Sequence, residues 1–154
     1  MIRGIHHPAI ATDDMSKALN FYQTLLGLDT VFSYGWESGT DMAELAGKIT
    51  GVPNSTAQAI VLKVGNAFLE IVAFAQPASN RGDDRALSQH GYSHVAFDVD
   101  DVWKEYERLK AAGVQFQSEP IDAGPMRVAY CRDPDGNFVE LQQITDPDSA
   151  LVLV

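Results

Sequence analysis

The sequence predicts an α+β protein built from two tandem βαβββ modules. Three observations carry that expectation. The chain nearly repeats itself. Residues 5–27, IHHPAIATDDMSKALNFYQTLLG, align with residues 92–113, YSHVAFDVDDVWKEYERLKAAG, with His7 on His94, Ala9 on Ala96 and Asp14 on Asp101. Each half then ends in an apolar strand holding one carboxylate, AFLEIVAF with Glu70 and NFVELQQI with Glu140. Finally, a repeat this short cannot enclose a core alone, so the two copies are expected to pack on each other.

The first strand is expected over residues 4–11. Asp13 or Asp14 then caps a helix whose apolar residues, Met15, Ala18, Leu19, Tyr22, Leu25 and Leu26, recur at helical spacing, with Gly27 as its stop. LDTVFSY reads as a strand. The stretch 35–56 is less regular, with a short helix at 41–47. QAIVLKV and NAFLEIVAF form a hairpin around Gly65-Asn66. A polar connector follows, with a helical turn near Asp84–Gln89. The second half repeats the order: strand 92–99, helix 101–112 ended by Gly113, strand 114–118, then strands 126–132 and 137–144 joined by Asp-Pro-Asp-Gly. This gives a single domain over 1–154, with module one at about 4–75, a connector at 76–90, module two at about 91–145 and a tail at 146–154. The tail is apolar at its end and is expected to dock on the body or on a second subunit.

The halves differ in spacing. His7 precedes Glu70 by 63 residues and His94 precedes Glu140 by 46. The excess lies mostly in 35–56. An excursion of that size in a small domain is a lid, a substrate wall or an interface more often than idle chain.

With 45% hydrophobic residues in 154, the chain can bury a sizeable core and is not disordered. The formal charge of −10 argues against nucleic acid or an anionic membrane as partner, yet leaves room for a small anionic substrate, since one local arginine can outweigh a distant negative surface. No charged-then-apolar leader and no long apolar run is evident at MIRGIHHPAI or beyond, and the single Cys131 has no internal partner. A cytoplasmic location follows as the natural expectation.

Strand parity groups the chemistry-bearing residues. Val95, Phe97 and Val99 suit packing against a helix, which puts His94, Ala96 and Asp98 on the other face. Val139 and Leu141 oppose Glu140 and Gln142. Leu69, Ile71 and Ala73 oppose Phe68, Glu70 and Val72, and His7 shares its face with Ala9. Two such sheets curved toward each other form one cup with His7, Glu70, His94 and Glu140 at its floor. A lone strand histidine is ordinarily a hydrogen-bonded core residue, and a lone glutamate can pair with an arginine. Two of each at repeated positions satisfy one another through one divalent cation, since an unpaired buried carboxylate costs several kcal/mol. Imidazole with carboxylate suits Zn, Ni, Co, Mn or Fe. Outside this set, His90 in the connector, and Arg127 and Tyr130 in a late strand, are candidates for substrate contact. His6 has the parity opposite to His7 and reads as structural.

The ordered segments HHPAIATDDMSKALNFYQTLLGL, GNAFLEIVAF, YSHVAFDVDD and RDPDGNFVELQQI resemble the vicinal oxygen chelate superfamily, which includes glyoxalase I, methylmalonyl-CoA epimerase, extradiol dioxygenases and the fosfomycin and bleomycin resistance proteins. The resemblance implies paired βαβββ modules forming a metal-bearing cup, often in a homodimer, with ligands at His7, Glu70, His94 and Glu140. Glutamate at position 70 is similar to the pattern of glyoxalase I and methylmalonyl-CoA epimerase. Extradiol dioxygenases also expect a histidine shortly before the tyrosine that precedes Asp-Pro, and IDAGPMRVA before Tyr130 has none. Glyoxalase I carries a Thr-Tyr-Asn-type stretch after the first-module glutamate, where this chain has IVAFAQP.

The resulting expectation is a metal-dependent isomerase, epimerase or lyase that removes a proton next to a carbonyl, the metal binding vicinal substrate oxygens and stabilising the enolate, with Glu70 and Glu140 as base and acid. An Fe(II) extradiol ring-cleaving dioxygenase and a non-catalytic small-molecule-binding protein are the alternatives.

Overall fold

The computed structural model describes residues 1–2, 4–79 and 86–153. The chain divides into two units, Met1–Gly82 and Asp83–Val154, the division falling in the polar connector.

The first unit runs β1 (Ala9–Thr12), α1 (Met15–Leu19), a π-helical stretch (Asn20–Leu25), β2 (Asp29–Trp36), α2 (Asp41–Thr50), β3 (Thr56–Val64) and β4 (Ala67–Gln76). Its sheet has the order β1-β4-β3-β2, with β1 parallel to β4 and the rest antiparallel. The regular strand begins at Ala9 rather than residue 4. Pro8 has no N–H to donate, so the pairing before it is one-sided: the carbonyls of His6 and Pro8 accept from the N–H groups of Phe68 and Glu70 at 3.1 and 3.0 Å.

Asp14 caps α1, its carboxylate accepting from the Lys17 N–H at 3.1 Å. That bond holds the Asp14 carboxyl below its ordinary value. The helix then widens, the Leu26 N–H reaching back five residues to the Phe21 carbonyl. Ala18, Phe21 and Tyr22 are buried, as are Leu69, Ile71, Ile60 and Leu62 of the sheet. Each large side chain in this layer contributes roughly 1.5–3 kcal/mol by leaving water.

The excursion at 35–56 is more ordered than its sequence suggests. Thr40 caps α2 through the Ala43 N–H, Gly51 ends the helix at φ 76°, and the helix reaches Thr50 rather than stopping at 47. Ala43 and Ala46 are its buried positions, while Met42, Leu45 and Ile49 are exposed. Gly35 in β2 has a steric reason: a Cβ there would stand 2.8 Å from the Ala57 carbonyl oxygen.

The second unit runs β5 (His94–Asp98), α3 (Val102–Ala111), β6 (Ile121–Ala123), β7 (Met126–Arg132) and β8 (Phe138–Ile144). Its sheet has the matching order β5-β8-β7-β6. Asp101 caps α3 through the Lys104 N–H, and Val102, Tyr106 and Leu109 are buried, as are Phe97, Val139, Leu141, Ala129 and Cys131 of the sheet.

The expected strand 114–118 is the main departure. Residues 115–117 do lie against β7, through Gln117 N–H to the Tyr130 carbonyl at 2.8 Å and a bridge between Phe116 and Cys131. The register against β7 then shifts by two residues, and the regular third strand is instead Ile121–Ala123. In the connector, Asp84 and Arg85 of the expected helical turn lie outside the described residues. Ala86 and Gln89 close a single turn at 3.1 Å. The tail keeps Leu151, Val152 and Leu153 exposed.

Candidate functional site

The two sheets place their histidine and glutamate by the same register. In the first, Ala9 lies opposite Glu70; in the second, Ala96 lies opposite Glu140. Each histidine sits two residues before that alanine, on its face of the strand. The face is the one turned away from α1 or α3, and the small alanine leaves the space above it open.

In the first unit His7 Nε2 stands 3.5 Å from Glu70 Oε2. The Tyr34 hydroxyl donates to Glu70 Oε1. The Glu70 hydrogen bond, with burial behind it, pushes the Tyr34 hydroxyl up to about 12. His7 Nδ1 lies 2.8 Å from His6 Nδ1, and the His6 ring stacks on Phe68 at 5.0 Å. His6 is therefore a partner of His7 rather than a distant structural residue.

In the second unit His94 Nε2 is 3.0 Å from Glu140 Oε2, and the Tyr130 hydroxyl donates to the same oxygen at 2.7 Å. Burial, then the bond to Glu140, pushes the Tyr130 hydroxyl up to about 12. The Ser93 hydroxyl engages His94 Nδ1 at 2.8 Å. The Tyr130 ring meets His94 edge to face at 5.4 Å. Asp98 lies further along the same face, its carboxyl held above the ordinary value by burial and by Asp100.

Each unit thus presents a His–Glu–Tyr cluster with the imidazole Nδ1 engaged by the preceding residue and Nε2 aimed at the carboxylate. Glu70 and Glu140 have side chains only 16% and 9% exposed, so both carboxylates are largely desolvated and depend on these partners. Among the described residues, no three His, Cys, Asp or Glu side chains are grouped so as to hold a metal ion.

Each pair offers imidazole and carboxylate, donor types that suit a first-row divalent ion. Two ligand atoms at roughly 2.1 Å from one metal stand about 3.0 Å apart at a right angle and about 3.4 Å apart at a tetrahedral angle. The observed 3.5 and 3.0 Å lie close to those separations. Occupied Nδ1 positions are also what an Nε2 ligand requires, because the bond at one ring nitrogen fixes which tautomer the other presents.

The remaining sequence candidates separate. Tyr130 belongs to the cluster. Arg127 does not: its position shares the parity of Ala129 and Cys131, and its Nε donates to Asp122 at 2.6 Å. His90 lies exposed in the connector. Tyr34, His6 and Ser93 are the members that sequence reading missed. Position −1 to each histidine was a usable signal for two of them. Tyr34 had none, because it reaches Glu70 from the far edge of the sheet.

Sheets of this order, each opening a metal-fitting cluster on its helix-free face, define a class, and comparison supplies its name. Residues 4–141 match the Glyoxalase/Bleomycin resistance protein/Dioxygenase superfamily, and the chain belongs to it. It is 28% identical over 149 residues to a lactoylglutathione lyase of Pseudomonas aeruginosa, covering 90% of this chain and 81% of that one. It is 25% identical over 142 residues to a probable lactoylglutathione lyase of Synechocystis, covering 89% and 92%. Among solved structures, a glyoxalase family protein from Bacillus cereus shares the fold with a TM-score of 0.80 at 20% identity, over 94% and 95% of the two chains. A fosfomycin resistance protein from Listeria monocytogenes, solved with Mn(II) and sulfate, does so with a TM-score of 0.63 at 20% identity, over 93% of each. Among the described residues, no helix is long and apolar enough to cross a membrane.

Proposed function

We propose that His7, Glu70, His94 and Glu140 together hold one divalent metal ion, and that the protein is a metal-dependent isomerase, epimerase or lyase acting on a small molecule next to a carbonyl. The observation that carries this reading is the duplicated cluster: a histidine and a glutamate in the same register on the helix-free face of each unit, each glutamate held by a tyrosine hydroxyl. Relatives named lactoylglutathione lyase support a lyase-type reaction. A bound divalent ion would supply Lewis-acid polarisation of a substrate oxygen, worth several kcal/mol in such a reaction.

The chain's own residues divide the remaining work. His7 and His94 offer Nε2 as neutral ligands, oriented by His6 and Ser93. In Glu70 the two carboxylate oxygens are both engaged, one by Tyr34 and one by His7. In Glu140 both partners converge on Oε2, and among the described residues nothing bonds Oε1. On this reading Glu140 Oε1 takes the substrate proton as general base, and either Glu140 or a protonated Glu70 delivers a proton to the enolate. Exposed apolar residues on α2 and the tail support a homodimer as the working form, and the single cysteine is in keeping with a cytoplasmic location.

The test is solvent exchange. The metal-loaded protein should exchange the proton next to the carbonyl of an α-hydroxyketone or hemithioacetal with deuterated solvent, without consuming oxygen, and Glu140→Gln should abolish it. Oxygen uptake with a catechol by the iron-loaded protein would make it a ring-cleaving enzyme instead. Saturable binding without exchange would make it a binding protein.

A further inference from the structure

We infer that the substrate of this site carries a neutral, aryl-sized apolar group, seated on an aromatic strip of the first unit, rather than an anionic peptide tail. The inference rests on the proposed reading of Glu70 as part of the metal site. Phe32, Tyr34 and Trp36 alternate along β2, so all three stand on the face that carries Glu70. Their rings stack successively at 5.6 and 6.2 Å, each pair inclined by 28°. Phe32 is 61% exposed and Tyr34 41%. A row of exposed aromatic rings on a sheet face is costly to leave in water and marks a binding surface.

The strip has a direction. Register places Phe32 in the row of Glu70, Tyr34 in the row of Val72 and Trp36 in the row of Phe74. Along β4 the distance from Glu70 to Phe74 is about 13 Å at ordinary strand rise. The floor beneath the strip is low, because Ala59 and Ala57 are the β3 residues under Tyr34 and Trp36. At the far end Trp36 and Phe74 meet edge to face at 6.1 Å and line a cavity of about 680 Å³, together with Ala57 and Met42. Trp36 does not swing freely there: its indole N–H donates at 2.9 Å to the hydroxyl of Ser55, which is fully buried. The wall is preorganised for a flat ring.

Charge decides against the anionic alternative. Among the described residues the cavity is lined by Asp13 and Glu37 and by no lysine or arginine. A tail bearing carboxylates would meet like charge from Asp13 and Glu37. A neutral ring meets two aromatic faces and a methionine, whose thioether adapts to aromatic partners.

The experiment uses metal-stripped protein, so it succeeds or fails independently of the metal. In the Trp103→Phe variant, Trp36 is the sole tryptophan and its emission is the readout. Titration with 2-hydroxyacetophenone should give a saturable change, while hydroxyacetone and reduced glutathione at the same concentrations give none. Phe74→Ala should weaken the aryl ligand by about three- to tenfold, the range expected for an aromatic pair. Met42→Ala, on the exposed side of α2, should weaken it several-fold and serves if Phe74→Ala does not fold. A saturable Trp36 response to glutathione, or none to the aryl ketone, overturns the inference. Intact aryl binding in protein that takes up no metal sinks only the metal reading.

Discussion

The Tyr34 hydroxyl reaches Glu70 across an intervening strand. Tyr34 is on β2 and Glu70 on β4, and the β3 residue opposite Tyr34 is Ala59, whose small side chain leaves room for the phenol to cross β3 diagonally toward Glu70. In the second unit Tyr130 makes the same bond to Glu140 from the adjacent strand. The first-unit residue at the position of Tyr130 is Val61, directly opposite Glu70. The two units therefore arrive at one arrangement, a phenol donating to the glutamate, from strands that are not equivalent. That convergence points to a requirement for a held carboxylate rather than to inheritance of a single tyrosine.

If the phenols hold the carboxylates, Tyr34→Phe and Tyr130→Phe should each lower the affinity for a divalent ion by about 10–100-fold, the usual cost of losing a partner of a ligand. The fold should survive, since only a hydroxyl is removed. Metal titration followed by calorimetry checks this, with circular dichroism as the control. Unchanged affinity in both variants would reduce the tyrosines to packing residues.

Ser93 should act through His94. Removing its hydroxyl frees Nδ1, and the ring can then present either tautomer. Ser93→Ala is expected to weaken metal binding about tenfold and Ser93→Thr to restore it. Nitrogen-15 shifts of the His94 ring read the tautomer directly, and a ring already locked with Nδ1 protonated in Ser93→Ala would remove the role.

Thr40 is the cap of the helix that distinguishes the first unit. Thr40→Ala should cost about 1 kcal/mol and lower the melting temperature by a few degrees. Because Thr40, Glu37 and Met42 also line the cavity beside Trp36, emission from Trp36 should shift in the same variant. Stability loss without that shift would mean α2 is a surface insertion with no part in the cavity wall.

Cys131 is fully buried, and burial with the nearby Asp133 pushes its thiol up to about 12. An unfolded cysteine ionises near 8.5. The folded chain thus keeps a proton that the unfolded chain gives up, so this thiol's contribution is fully present below about pH 8.5 and is lost as pH rises toward 12. The native protein should resist alkylation at pH 8 and react once unfolded. Removing the titration with Cys131→Ala should flatten the loss of stability between pH 8.5 and 11. Rapid alkylation of native protein would show that the strand opens.

How much of this was legible in the sequence depends on how local the cause was. The pairing of His7 with Glu70 and His94 with Glu140 follows from parity and from the repeat, and both pairs come together. The caps at Asp14, Thr40 and Asp101 are short-range and readable, although the sequence reading names a cap only for the first helix, as Asp13 or Asp14. The strand expected at 114–118 is reduced to one bridge at Phe116, because the register against β7 shifts before Ile121, and a register shift leaves no mark in the apolar pattern. The π-helical turn at Asn20–Leu25 leaves the apolar spacing nearly unchanged and so hides in it. Tyr34 was invisible for a different reason. Its contact with Glu70 depends on the bulge between Thr30 and Phe32, on sheet order and on the size of Ala59, none of which lies near Tyr34 in the chain.

The central proposal is that His7, Glu70, His94 and Glu140 hold one divalent ion. Metal stoichiometry in single variants, measured by elemental analysis after dialysis against a defined ion, tests it most directly. The account predicts one divalent ion per chain in the unaltered protein, and loss of that ion in His7→Ala and Glu70→Gln as fully as in His94→Ala and Glu140→Gln. Full retention of the ion when either pair is altered would contradict it.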